Sequence, residues 1–350
     1  MSTLTIALAS LGGVVLAGVV AQGAWQARKA GPRRADAPSP RAEPREPVMD
    51  DVEQVSPSDD AVVDDAAPVE RRLPRRALLR LDALIDAMAT LRLDAPVGGA
   101  MALAHLPTTR RAGGKPFLIE GLNAETGEWE QPVSGQRYGE FQAGVQLANR
   151  TGPLNEIEYS EFVQKIQGFA EAIGAMTDFP DMLEVVASAR ELDAFANQYD
   201  AQLVVQLRTR ATAWSVAYVQ QHAGAQGFVA GAVPGRWVLP SAEEGGPPVL
   251  SLTFDAQAAL ADDPNEAAVR EVSVSFDVPQ TDPAGQPFQA WQTVSQALAE
   301  DMQAELVDDN GAALSQAGFT AIGAELGQLY EALNGRDLPA GSAAARRLFS

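Results

Sequence analysis

Several stretches of the chain alternate apolar and polar residues with the period of two expected of a half-buried strand. The clearest are Ala201–Arg208 (AQLVVQLR), Val249–Asp255 (VLSLTFD) and Val272–Val278 (VSVSFDV). Gly235–Pro240 reads as a further strand, and upstream Ala83–Leu91, Val97–Leu106, Pro116–Leu122 and Phe141–Leu147 loosely fill the corresponding strand and helix places of a first half. Apolar residues spaced by three and four predict helices at Trp214–Ala225, Met182–Asn197 and Ala321–Leu333. Strands joined by short links and followed by helices predict an α+β fold, an antiparallel sheet with helices on one face.

Comparing the chain with itself reveals a duplication. Residues 145–175 align without a gap on 274–304, an offset of 129. Val145 falls on Val274, Tyr159 on Phe288, Phe162 on Trp291, Phe169 on Leu298, and Ala170–Glu171 on Ala299–Glu300. Each copy is a strand, a proline-containing loop and an amphipathic helix, so two tandem units are expected, at 80–198 and 199–335. The small residues of 336–350 predict a frayed tail.

Upstream of both units the pattern is different. Leu4–Trp25 is an uncharged run of 22 residues, enough to cross a hydrocarbon core of ~30 Å. Arg28, Lys29, Arg33 and Arg34 follow it, which by the positive-inside rule puts the N-terminus outside and the remainder in the cytoplasm. A membrane anchor over residues 1–27 is the expectation; a signal peptide cleaved after Ala21 is the alternative, although no basic residue precedes the apolar run. Ala9, Gly13, Ala17 and Ala21 form a small-residue stripe suited to pairing two such helices. Residues 28–79 are rich in proline and charge and read as a disordered tether.

Charge narrows the function classes. The 350 residues carry 26 basic and 46 acidic side chains, for a net −20, and the stretch after residue 80 carries that whole excess. This disfavours nucleic acid as a partner, since its backbone requires a basic face. Without cysteine, and with only His105 and His222, thiol chemistry and histidine-rich metal sites are out of reach. No phosphate-binding loop, nucleophile elbow or zinc-protease string is present. Asp262–Asp263, Asp308–Asp309 and the Glu125–Glu128 stretch sit in turn-like contexts, and Phe162, Phe288 and Trp291 at core spacing. A non-enzymatic protein without cofactor or metal is expected.

The second half resembles the C-terminal domain of ZipA, a bacterial cell-division protein family that binds FtsZ. The likeness rests on QLVVQL, VQQHAGAQGF, PPVLSLTFD, VSVSFDVP and above all the helix AWQTVSQALAEDMQAELVDDNGAAL, in that order. An N-terminal anchor and a charged linker follow the same layout; residues 80–198 are an additional, diverged unit. The resemblance implies binding of the C-terminal peptide of FtsZ on the open face of the sheet, tying the division ring to the inner membrane. That peptide is short, apolar and partly basic in the family, which suits an acidic domain.

Strand parity sorts the faces. Leu203, Val205, Leu207, Leu250, Leu252, Phe254, Val272, Val274, Phe276 and Val278 form the core set. Gln202, Val204, Gln206, Ser251, Thr253, Asp255, Ser273, Ser275 and Asp277 are left on the open face, with Trp237 and Leu239 on the neighbouring strand as apolar contributors. All of these except Gln202 and Ser251 are the candidate partner-binding residues. ZipA-like recognition uses an apolar open face, whereas this one is mostly polar. It is solvated, takes a more polar peptide, or has ceded the site to the first unit or the cleft between units. An envelope scaffold that binds another division component, or itself, is the competing function.

Overall fold

A computed structural model describes residues 80–243 and 245–350. The anchor, the tether and the stripe Ala9, Gly13, Ala17 and Ala21 lie outside the described residues. Among those described, no helix is long and apolar enough to cross a membrane.

The chain is a mixed α+β protein built on two antiparallel sheets. In the first half the strands are β1 (Asp86–Gly98), β2 (Arg111–Ala112), β3 (Lys115–Asn123), β4 (Trp129–Glu130), β5 (Arg137–Gln146), β6 (Ala148–Asn149), β7 (Gly152–Pro153) and β8 (Ala175–Asp178). In the second they are β9 (Gln202–Thr209), β10 (Trp214–Ser215), β11 (Val229–Ala230), β12 (Arg236–Leu239), β13 (Leu250–Thr253), β14 (Ala268–Val269), β15 (Glu271–Asp277) and β16 (Ala304–Val307). The first sheet has the order β2-β3-β5-β1-β8, and the second β11-β12-β13-β15-β9-β16.

The two orders share one plan. In each, the first long strand pairs on one side with the strand before the amphipathic helix and on the other with the strand after it. Shifted by 129 residues, β8 falls on β16, and the helix Glu156–Ile173 covers the helix Pro287–Asp301. The duplication read from the sequence is therefore a duplication of topology.

Each amphipathic helix buries its apolar stripe on one face of its sheet. Phe162, Ile166 and Phe169 pack on Leu91, Phe117, Phe141 and Val145 in the first core. Trp291 and Leu298 pack on Val205, Leu252, Val274 and Phe276 in the second, and the Trp291 indole donates to the Val274 carbonyl at 2.9 Å. Asn155 starts the first of these helices with a complete capping box, and Gly174 ends it in the left-handed region.

Residues 97–106 hold the place that the helix after β9 has in the second half: β1 ends at Gly98 and Gly99–His105 (GAMALAH) is a helix, favoured by the helix propensity of Ala, Met and Leu, with Met101 and Leu103 exposed. Two local expectations are corrected. Trp214 and Ser215 form a short strand, so the following helix starts at Val216. The tail does not fray: Leu338, Ala345, Leu348 and Phe349 are buried in the first core, and Ala343–Leu348 is helical.

That last segment joins the halves. The helix Gln316–Asn334 starts in the second core through Phe319 and Leu326 and ends in the first through Leu333; Leu329 and Tyr330 touch both. The chain then turns at Gly341, whose φ is +78° and whose added Cβ would stand 2.5 Å from the Asp282 backbone. Beyond it Arg346 donates to the Gln280 carbonyl, and Gln280 to the Phe349 carbonyl. Arg347 forms a bidentate ion pair with the buried Asp86, at 2.6 and 2.8 Å.

Candidate functional site: the open face of the second sheet

Cross-strand register fixes which side chains share a face. Ser275 stands opposite Val204 and Ser251, and Ser273 opposite Gln206 and Thr253. These six short or polar side chains form two adjacent rungs across β13, β15 and β9 on the side away from the helices. Ser251, Thr253, Ser273, Val204 and Gln206 are half-buried, and Ser275 is buried. The result is a shallow, hydroxyl-lined trough.

Trp237 and Leu239 are not part of it. They stand opposite Leu252 and Leu250, both core residues, and pack against the second core. The open-face residues of β12 are instead Arg236 and Val238, opposite Thr253 and Ser251. Parity within one strand does not fix the register with its neighbour, and this corrects the facing expected of β12. Arg236 and Val238 are the residues that sequence reasoning misses; their alternation with Trp237 and Leu239 is the available signal.

Both ends of the trough open into hollows. One, about 490 Å³, is lined by Thr253, Asp255, Arg270, Glu271 and Ser273. Asp255 lies past the end of β13 and caps the turn Ala256–Ala259, accepting from the Gln257 amide at 2.9 Å. Glu271 is engaged by Arg208 at 2.8 Å. The other, about 300 Å³, lies where the first unit meets the sheet and is lined by Arg150, Gln202, Arg236, Ser251, Ser275 and Asp277.

Asp277 is committed there. Arg150, from the first unit, reaches Asp277 at 2.7 Å and Asp200 at 2.6 Å. Burial raises the Asp277 carboxyl above its ordinary range while the Arg150 hydrogen bond pulls it back. The same arginine is held more firmly protonated, chiefly by its hydrogen bond to Asp200. Asp277 is thus an inter-unit tie.

The first sheet's open face is covered in part by the chain itself. Leu81 lies over Gly144, where an added Cβ would meet its Cδ2 at 2.5 Å. The Leu81 amide donates to Glu120, which also accepts from Gln142. Glu120 is buried.

The acid pairs read as turns are turns. Asp308 accepts from the Asn310 and Ala312 amides, and Asp263 from Asn265. His222 stacks near Tyr218 at 4.3 Å in the last turn of its helix. Lys115 is buried, its ammonium donating to Asn149 and to the Gly152 carbonyl, and burial lowers its pKa; it locks the β6–β7 hairpin. Among the described residues no cluster of acids and histidines is arranged to hold a metal ion.

No protein-family model matches this chain, and no curated protein does. Among solved structures, a variant of berberine bridge enzyme in complex with (S)-reticuline aligns at 9% identity with a TM-score of 0.16. The alignment covers 75% of this chain and 52% of that one. A monoclinic crystal form of the enzyme from Eschscholzia californica aligns at 10% identity and a TM-score of 0.15, over 75% and 52%. This chain spans about half the length of those structures, and likenesses at such scores assign neither fold nor function.

Proposed function

We propose that this chain is a non-catalytic, membrane-anchored adaptor whose second unit takes the C-terminal peptide of FtsZ on the open face of its sheet. One observation carries the choice of surface. Over β13, β15 and β9 the trough side chains other than Ser275 stay half-exposed, whereas on the first sheet's equivalent face Leu81 lies over Gly144 and Glu120 is buried. The second unit is also the part whose strand and helix phrases resemble ZipA. The mechanism is local concentration: a domain held near a bilayer by its tether binds many weak peptide ends along a polymer, and avidity replaces affinity.

The polar trough modifies how such a peptide is held. With hydroxyls in place of an apolar floor, affinity rests on hydrogen bonds and on the side chains at the two ends rather than on buried area. The anchor and the inner-membrane location enter as expectations from Leu4–Trp25, and lipid is the partner of that segment only.

Fluorescence anisotropy of the labelled FtsZ C-terminal peptide against the full chain in detergent micelles tests the reading. Micromolar binding is expected, with at least a tenfold loss in Val204→Arg, which places a long cation in the middle of the trough. Binding that ignores Val204→Arg, or none at a hundred micromolar protein, would contradict it and leave the envelope scaffold as the better account.

A further inference from the structure

The hollow of about 300 Å³ at the inter-unit end of the trough contains an imbalance of charge. The two arginines that line it are in different states. Arg150 is neutralised by Asp200 and Asp277. Arg236 donates only to the Ser251 hydroxyl, at 3.1 Å, and pairs with no carboxylate among the described residues. Beside it Ser275 is 6% exposed and lines the same hollow, where its hydroxyl can donate to a group seated there. The hollow therefore has a hydroxyl in its wall and an uncompensated guanidinium on its rim.

Guanidinium plus hydroxyl is a donor set matched to an anion that only accepts, and a carboxylate fits it. The surroundings restrict where that carboxylate comes from. Between residues 199 and 335 there are four arginines, no lysine and 17 acidic residues, so a free anion is repelled from this unit. The anion must arrive attached to something the sheet already holds. We infer that this hollow receives the terminal carboxylate of the peptide lying in the trough, between the Arg236 guanidinium and the Ser275 hydroxyl. The inference rests on the reading that the partner segment is a chain end, and it gives that segment a direction: its last residue lies toward the first unit.

Five labelled probes, read by anisotropy against the full chain, test it. Two are the FtsZ C-terminal peptide as free acid and as carboxamide. Two more are an unrelated pentapeptide, Ser-Val-Ser-Val-Ala, in the same two forms, and the fifth carries an internal Asp and an amidated end. The free acids are expected to bind at least tenfold tighter than their amides. Arg236→Gln should abolish that ratio while leaving the melting temperature unchanged, since Arg236 is exposed. FtsZ-peptide binding that is indifferent to amidation would overturn the inference and leave the adaptor reading standing. An acid preference of the unrelated pentapeptide, lost in Arg236→Gln, together with no binding of the FtsZ peptide in either form, would uphold the carboxylate site and remove FtsZ as its ligand. No acid preference in any probe, or an internal Asp serving as well as the free terminus, would overturn it.

Discussion

Two tyrosines, Tyr159 buried and Tyr330 half-buried, show how a single hydroxyl shapes stability. Tyr159 donates to the Pro180 carbonyl at 2.6 Å, whereas the Tyr330 hydroxyl is buried without a partner. Burial pushes both phenols up to about 12, above the ordinary value near 10. A raised acid contributes stability that is complete below its unfolded pKa and lost as pH climbs through the folded one. The protein should therefore lose stability between about pH 10 and 12. Tyr330→Phe is predicted to melt higher at pH 7, by about 1 kcal/mol in stability, and to lose less on going to high pH; thermal melts at neutral pH and on either side of the phenol titration check this. A variant less stable than the parent at neutral pH would mean that the hydroxyl has a partner. None of this is legible in the sequence, where Tyr330 is one more apolar position on a helical stripe.

At the level of elements, what the sequence reveals depends on whether the deciding contacts are local. The strands of VVQL, LSLT and VSVSFD are legible because one buried face imposes alternation, and the paired helices because their stripes repeat at an offset of 129 residues. The strand β12 is legible as a strand but not in its facing, because Trp237 and Leu239 take their side from β13. The closing segment, 336–350, is illegible for a stronger reason. Ala343, Ala344 and Ala345 carry no apolar signal, and Leu348 and Phe349 are buried only because the first unit, far earlier in the chain, supplies the surface. Burying leucine and phenylalanine side chains is worth roughly 1.5–3 kcal/mol each, and a buried ion pair such as Arg347–Asp86 is costly to break from one side. Ending the chain after Gly335 removes Leu338, Leu348 and Phe349 and strands Asp86. Losses of that size rival the whole stability of a domain, so the shortened chain should lose the cooperative melt of its first unit and expose 80–198 to protease. Unchanged melting and protease resistance would show that the segment merely rests on the surface.

Over the whole molecule, the two units share a plan and have diverged in what they leave open. The first lays Leu81 over Gly144 and keeps Glu120 occupied; the second leaves a trough of hydroxyls bounded by two hollows. The helix Gln316–Asn334 and the closing segment bind the units together, and Arg150 ties the first to Asp277 at the edge of the trough. A peptide seated there would thus be read by both halves, and the second unit alone is a poor surrogate for the chain. The duplication, the α+β class and most of the trough, Val204, Gln206, Thr253, Ser273 and Ser275, can be read from alternation alone. Arg236 and the inter-unit hollow cannot, because they depend on register and on a contact between distant parts of the chain. The most direct test of the central claim is photo-crosslinking from a benzophenone amino acid placed at Val204, in the second trough, or at Gln142, on the open face of the first sheet. With full-length chain and FtsZ, the account predicts a crosslinked product from position 204, competed away by the free C-terminal peptide, and none from 142. A product from 142 alone, or from neither position, would contradict it.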